Sequence, residues 1–122
     1  MRALIVDDSR FIRQHLRQLL EHIGLICEEA TDGWEALALL RGNSSFTFML
    51  LDVNMPRMNG LECVKILREA GLQRPMKVLM VTTEVDNSFI RRALDYGADE
   101  FLMKPFTPEN LRDKLVMLGL AA

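Results

Sequence analysis

Long apolar runs are missing from this chain: no stretch approaches the ~20 residues that a membrane span requires. After Arg2 only four apolar residues, 3–6, precede a pair of acids, too few for the apolar region of a secretory leader. Cysteine is scarce as well. Cys27 and Cys63 are the two in 122 residues and share no CxxC spacing. They read as buried thiols of a protein kept in a reducing, cytoplasmic compartment. A surplus of positive charge is absent too: 15 basic and 17 acidic residues give a formal net charge of -2. The basic residues are interleaved with acidic ones, which argues against a direct nucleic-acid surface or a polybasic membrane patch. There is no internal repeat, low-complexity stretch or linker, and the length points to one domain, residues 1–122.

What is present is an ordinary globular composition, 49% hydrophobic and 26% charged. Apolar runs recur at 3–6 (ALIV), 46–51 (FTFMLL) and 77–81 (KVLMV), with weaker members at 25–29 (LICEE) and 100–103 (EFLM). Continuous rather than alternating hydrophobicity suits strands buried on both faces of a parallel sheet. Helical patterns lie between and after them. Ile12, Leu16, Leu19, Leu20 and Ile23 recur at helical spacing before Gly24. Asp32 with Glu35, and Asn59 with Glu62, have the spacing of capping boxes. A fourth helix is predicted from near Asp86 to Gly97, and a fifth from Thr107 and Pro108 through Leu111, Leu115 and Leu118. Strand followed by helix, five times, predicts an α/β domain with helices on both faces and right-handed crossovers.

In such a sheet every strand ends on one edge, and ligands bind there, where the strand order reverses. The first strand brings Asp7 and Asp8 to that edge, the third Asp52, the fourth Thr82 and Thr83, and the fifth Lys104. Any one of these acids, taken alone, reads as a helix cap or turn residue; the set taken together does not. Three carboxylates together require either a bound proton or a cation. A hard divalent ion such as Mg²⁺, which keeps waters and accepts phosphate oxygens, is the natural candidate. With Lys104 to meet a phosphoryl oxygen and Thr82 to donate a hydrogen bond, the set suits phosphoryl transfer to a carboxylate.

These residues, in the motifs VDDS, LLDVNMPRMNG, MVTTE and FLMKPF, closely resemble the receiver domain of bacterial two-component response regulators. The nearest in form are the CheY-like stand-alone regulators of chemotaxis. The resemblance runs over essentially the whole chain. It implies a doubly wound (βα)5, flavodoxin-like fold with strand order 2-1-3-4-5. It implies Asp52 as phosphoacceptor, with Lys104 and Thr82 engaging the phosphoryl group. Asp7, Asp8, Asp52 and the main-chain carbonyl of Asn54 would hold Mg²⁺ or Mn²⁺. A cis Lys104–Pro105 peptide is implied as well. The partners implied are a histidine kinase as donor and a downstream protein target, with the chain a monomer. The domain would catalyse its own phosphorylation and dephosphorylation without turning over a separate substrate.

Thr82 and Phe101 are the implied switch pair, and Phe101 stands where many members carry tyrosine, so an outer hydroxyl contact is lost. Asn54, Thr83 and Glu84 flank the site as modulators. Asn54 and Glu84 match regulators with short-lived signals, and branched Thr83 narrows the approach to Asp52. The output face of the family, from the fourth helix through the fifth strand to the fifth helix, includes Val85, Arg91, Phe101, Met103, Phe106 and Lys114. Other residues tempt with less reason. His15 and His22 lie a heptad apart and are expected away from the strand-end edge. Trp34 and the methionines read as packing. Arg91 and Arg92 read as a solvated face, with a cyclic-dinucleotide contact as the lesser alternative. Because the last helix ends with the chain, a stand-alone switch is expected. The alternatives are a receiver excised from a longer regulator with a DNA-binding or enzymatic output domain, and a Mg²⁺-dependent phosphatase with an aspartyl nucleophile. The latter needs an acid where this chain has Asn54.

Overall fold

The computed structural model describes residues 1–42, 45–55, 57–73, 76–83 and 86–121. Five strands alternate with five helices: β1 (Arg2–Val6), α1 (Arg10–His22), β2 (Ile26–Ala30), α2 (Gly33–Leu40), β3 (Phe48–Asp52), α3 (Gly60–Glu69), β4 (Lys77–Thr82), α4 (Asn87–Asp95), β5 (Glu100–Met103) and α5 (Pro108–Met117). All strand pairs are parallel, and the order is β2-β1-β3-β4-β5. The expected doubly wound sheet is therefore the observed one.

The apolar runs are continuous because both faces of the sheet are covered. Leu4 and Val6, Met49 and Leu51, and Val78 and Met80 enter one core, with Leu37 of α2, Leu67 of α3 and Ala93 of α4. Their alternates Ala3 and Ile5, Phe48 and Leu50, and Leu79 and Val81 enter the other, with Leu16 and Leu20 of α1 and Leu111 and Leu115 of α5. A two-residue period sorts neighbours to opposite faces, so a strand between two helical layers has no polar side. All five residues of β3 are buried.

Each helix begins at a side-chain cap: Ser9, Asp32, Asn59, Asp86 and Thr107 accept from main-chain N–H groups of α1 to α5 in turn. Only half of each expected capping box is seen at α2 and α3 among the described residues. The Glu35 carboxylate takes the Thr31 hydroxyl at 3.0 Å instead of reaching back to its cap. The reciprocal box is at α5, between Thr107 and Asn110. Trp34 is 54% exposed, which overturns its reading as packing. It sits in the first turn of α2, whose buried residues are Gly33, Ala36, Leu37 and Leu40. Met49, Met55, Met58, Met76 and Met80 are core, as expected, whereas Met1 and Met117 are exposed. Cys27 and Cys63 are buried free thiols. Burial pushes their pKa up to about 11 and about 12, so both stay protonated at neutral pH.

α3 is seated directly on the end of β3. The Gly60 N–H donates to the Val53 carbonyl at 2.9 Å. A Cβ on Gly60 would lie 2.6 Å from the Asp52 carbonyl oxygen and 3.0 Å from the Val53 Cα. Both are main-chain atoms with no flexible end to yield. Gly60→Ala is therefore expected to cost about 1–3 kcal/mol of stability, the usual range for overpacking. Urea unfolding measures it, and an unchanged midpoint would contradict this seating.

Candidate functional site

The chain runs from β1 outward to β2, then returns past β1 to β3. The reversal opens a crevice between the ends of β1 and β3, where open α/β sheets bind ligands. Val6 is paired with Leu51, so the next residues, Asp7 and Asp52, fall side by side at the strand ends. Both are buried, while Asp8 is exposed at the mouth. One carboxylate oxygen from each of Asp7, Asp8 and Asp52 can be chosen so that all lie within 4.8 Å of one another. At that spacing two full charges repel by roughly 3 kcal/mol for an effective dielectric of about 20.

Lys104 answers part of that repulsion. It follows β5 directly, and its Nζ donates to Asp52 Oδ1 at 3.1 Å and to Asp7 Oδ2 at 3.3 Å. Its own N–H is fixed on the Thr82 carbonyl at 2.8 Å, and its peptide to Pro105 is cis, as the resemblance implies. Burial alone would lower the Lys104 pKa, but the charges of Asp52 and Asp7 and their hydrogen bonds outweigh it and raise the value. The side chain is therefore an ammonium at any physiological pH. Asp7 is further held by the Ser9 N–H, which donates to its Oδ1 at 2.9 Å.

One lysine does not neutralise the cluster. Burial, then the charge of Asp7, pushes the Asp52 carboxyl above its ordinary value, against Lys104 and against a hydrogen bond from the Asn54 N–H. A buried acid that resists ionisation beside two further carboxylates is a donor set suited to a hard divalent cation.

The remaining expected residues fall as follows. Thr82 is buried at the end of β4, one position past Val81, which pairs with Asp52. Thr83 and Asn54 are exposed at the same edge. Glu84 and Val85 lie outside the described residues. Phe101, Met103 and Lys114 line a pocket of about 420 Å³ between β5 and α5. Lys114 lies over the Phe101 ring at 4.8 Å and pairs with Glu100 at 3.1 Å. Arg91 is exposed on α4. Phe106 is not in that pocket. It packs toward α1, where its ring stacks on His15 with centroids 6.3 Å apart.

The expectation that His15 stands away from the strand-end edge is thus incorrect. It lines an apolar pocket of about 310 Å³ with Ile12, Thr83, Lys104, Pro105 and Phe106. α1 starts only four residues after β1, so its second turn still borders the edge, and the loop after β5 folds across to meet it. His22, a heptad further on, borders Pro108 and Arg112 instead. Sequence reasoning also missed Arg57, which adopts φ 68 and pairs with the buried Asp32 that caps α2. Nothing in its residue type signals that left-handed conformation.

A five-stranded doubly wound domain whose crevice holds this acid cluster and its lysine defines a class, and comparison with known proteins agrees. The chain belongs to the response regulator receiver domain family, whose model matches residues 3–116. It is 40% identical over 116 residues to the chemotaxis protein CheY homolog of Campylobacter jejuni, covering 94% of this chain and 89% of that protein. The structure of Vibrio cholerae chemotaxis protein CheY4 superposes with a TM-score of 0.88 at 39% identity, covering 95% of this chain and 96% of that one. A response regulator from Burkholderia pseudomallei, solved with a phosphorylated aspartic acid, a calcium ion and citrate, is 27% identical with a TM-score of 0.80. That match covers 90% of this chain and 63% of the other. The chain is a receiver domain of the CheY type. Such domains normally bind Mg²⁺, and the acid cluster could hold a metal ion. No described helix is long and apolar enough to cross a membrane.

The Asp52 shift has a consequence for stability. An acid that binds its proton more tightly when folded stabilises the fold in its protonated form. That contribution is complete below the unfolded value, ordinarily 3.8, and is lost as pH rises through the higher folded value. Asp52→Asn cannot ionise. In EDTA it is expected to unfold at higher urea than the wild type near neutral pH. The gap should close as pH falls into the ordinary carboxylate range, and a gap independent of pH would contradict the assignment.

Proposed function

We propose that this protein is a single-domain signalling switch that takes a phosphoryl group from a histidine kinase onto Asp52 and signals to a protein partner, in chemotaxis. The observation that carries the reading is the two-pronged contact of Lys104 with Asp52 and Asp7 at the crevice between β1 and β3. An Asp52 oxygen attacks the donor phosphorus in line as the donor's phosphorus–nitrogen bond, or phosphorus–oxygen bond in an acyl phosphate, breaks. The leaving group departs with the electron pair and takes a proton. Lys104, held as an ammonium, is within reach to neutralise a phosphoryl oxygen. Thr82, buried one residue beyond the partner of Asp52, is suited to donate its hydroxyl to another. Asp7, Asp8, Asp52 and the Asn54 carbonyl would hold Mg²⁺, which would offset charge on the phosphoryl oxygens. In hydrolysis water attacks the same phosphorus, the bond from phosphorus to the Asp52 oxygen breaks, and inorganic phosphate leaves as the carboxylate is restored.

The signal would leave through the β5–α5 side. Phe101 is half-buried and free of a hydroxyl, so its movement is read through packing, and Lys114 over its ring would shift with it. Met103 lines the same pocket, exposed Met117 borders it, and Arg91 lies on α4. Those residues offer a partner an apolar floor with a rim of both charges, Lys114 beside Asp113 and paired with Glu100. Phosphorylation would bias a two-state equilibrium rather than build a new site. Phe106 and His15 stand on the other side of the crevice, next to Thr83, where a donor would approach.

Intact mass after incubation with acetyl phosphate and Mg²⁺ tests the reading. One added phosphoryl group is expected, absent with EDTA and absent from Asp52→Asn. Thr83→Ala, which widens the approach, is expected to take up the group faster. Uptake by Asp52→Asn would overturn the choice of acceptor, and an unchanged rate for Thr83→Ala would remove the gating role.

A further inference from the structure

Of the carboxylates at the crevice, Asp7 is held at several atoms. Its N–H donates to the Ala30 carbonyl at 3.2 Å, and its side chain meets the Ser9 N–H at 2.9 Å and Lys104 Nζ at 3.3 Å. Asp8 is different. It is exposed, and its carboxylate accepts no hydrogen bond among the described residues. Its direction is therefore set by its own main chain, above all by the peptide that joins it to Asp7.

Among the described residues, one side chain donates to the oxygen of that peptide. Arg13 Nη1 donates to the Asp7 carbonyl at 2.7 Å, and the same guanidinium donates through Nε to Glu29 Oε1 at 3.0 Å. Glu29 is clamped from its other oxygen by Arg17 Nη1 at 2.6 Å, and Arg17 Nη2 bonds the Cys27 carbonyl at 2.9 Å. The Arg13 side chain is only 12% exposed. α1 and β2 thus form a braced strut whose tip is the Asp7–Asp8 peptide. Burial alone would raise the Glu29 pKa, but its hydrogen bonds from Arg17 and Arg13 bring it below the ordinary value, so Glu29 is ionised and cancels one positive charge.

Resting on the proposed reading of the acid cluster, we infer that Arg13 is a positioning residue for the cation site: it fixes the peptide that aims Asp8 toward Asp7 and Asp52. Positioning and charge predict opposite signs, which makes the inference decidable. A guanidinium beside a cation site repels the ion, so removing it would tighten binding if charge were its only effect. Losing the strut frees the Asp8 peptide and weakens binding.

The test is calorimetric titration of Mg²⁺ into the unphosphorylated full chain, wild type against Arg13→Gln, with thermal melts alongside. Loss of a supporting partner of a metal ligand ordinarily costs 10–100-fold in affinity. An exposed site belongs at the lower end, so about a tenfold weaker Kd is expected for Arg13→Gln. A Kd that is unchanged or tighter overturns the inference, including the case in which the melting temperature falls while Kd stays put. Should Arg13→Gln fail to fold, Arg13→Lys serves. It keeps the positive charge but lacks the guanidinium fork that holds the Asp7 carbonyl and Glu29 together, so weaker Mg²⁺ binding is expected and unchanged binding overturns the inference. Wild-type protein that binds no Mg²⁺ would defeat the functional reading itself, whereas wild-type binding unaltered by Arg13→Gln would remove only the role of Arg13.

Discussion

Mutual repulsion among three carboxylates, answered by one ammonium, is the constraint around which the crevice is organised. The parallel sheet makes it unavoidable. Once β1 and β3 are neighbours in this register, Asp7 and Asp52 stand side by side. Burial then deprives Asp52 of the water that would screen it, and its pKa rises. Lys104 reaches both acids from beyond β4, which ties the end of β5 to the ends of β1 and β3. What remains of the negative charge is an open demand for a cation. A site of this kind gives up stability when empty and would recover it on binding a cation, as functional sites commonly do.

The supports of this site are ordinary folding devices. Ser9 caps α1 and, through its N–H, holds Asp7. Gly60 opens α3 at a place where no side chain fits between helix and strand. Asp32 caps α2 and receives Arg57 from the loop that follows β3. At α1 the residue that caps the helix is thus also the one that holds a crevice acid. Local changes in the crevice are connected to α2 and α3 through hydrogen bonds rather than through apolar packing alone.

Much of this was legible in the sequence, for definable reasons. Apolar runs bounded by caps and glycines located all five strands, and even the weak runs at 25–29 and 100–103 proved to be strands. The strand-end rule gathered Asp7, Asp8, Asp52, Thr82 and Lys104 because a parallel sheet leaves them no other edge. Side chains that reach across the fold were not legible. Arg13 looks like any solvent-facing residue of an amphipathic helix, and only β2 beside it reveals the strut with Glu29. His15 was misplaced because periodicity gives a helix face without giving the loop that covers it, here the one carrying Phe106. Trp34 was misread because a large apolar residue in a short helix is core or surface according to a rotation that the pattern does not set. The family resemblance grouped Phe106 with Phe101 and Met103 on one output face, yet the turn after β5 sends it to the opposite side.

The central claim is that the acid cluster is built to be completed by a divalent cation. Equilibrium unfolding of the wild type against Mg²⁺ concentration, beside Asp8→Asn, tests it most directly. A ligand bound only by the folded state adds stability as its concentration passes Kd, about 1.4 kcal/mol for each tenfold excess. The account predicts that rise for the wild type and a much smaller one for Asp8→Asn, whose mouth carboxylate is gone. Stability that does not respond to Mg²⁺, or that responds equally in both proteins, would contradict it.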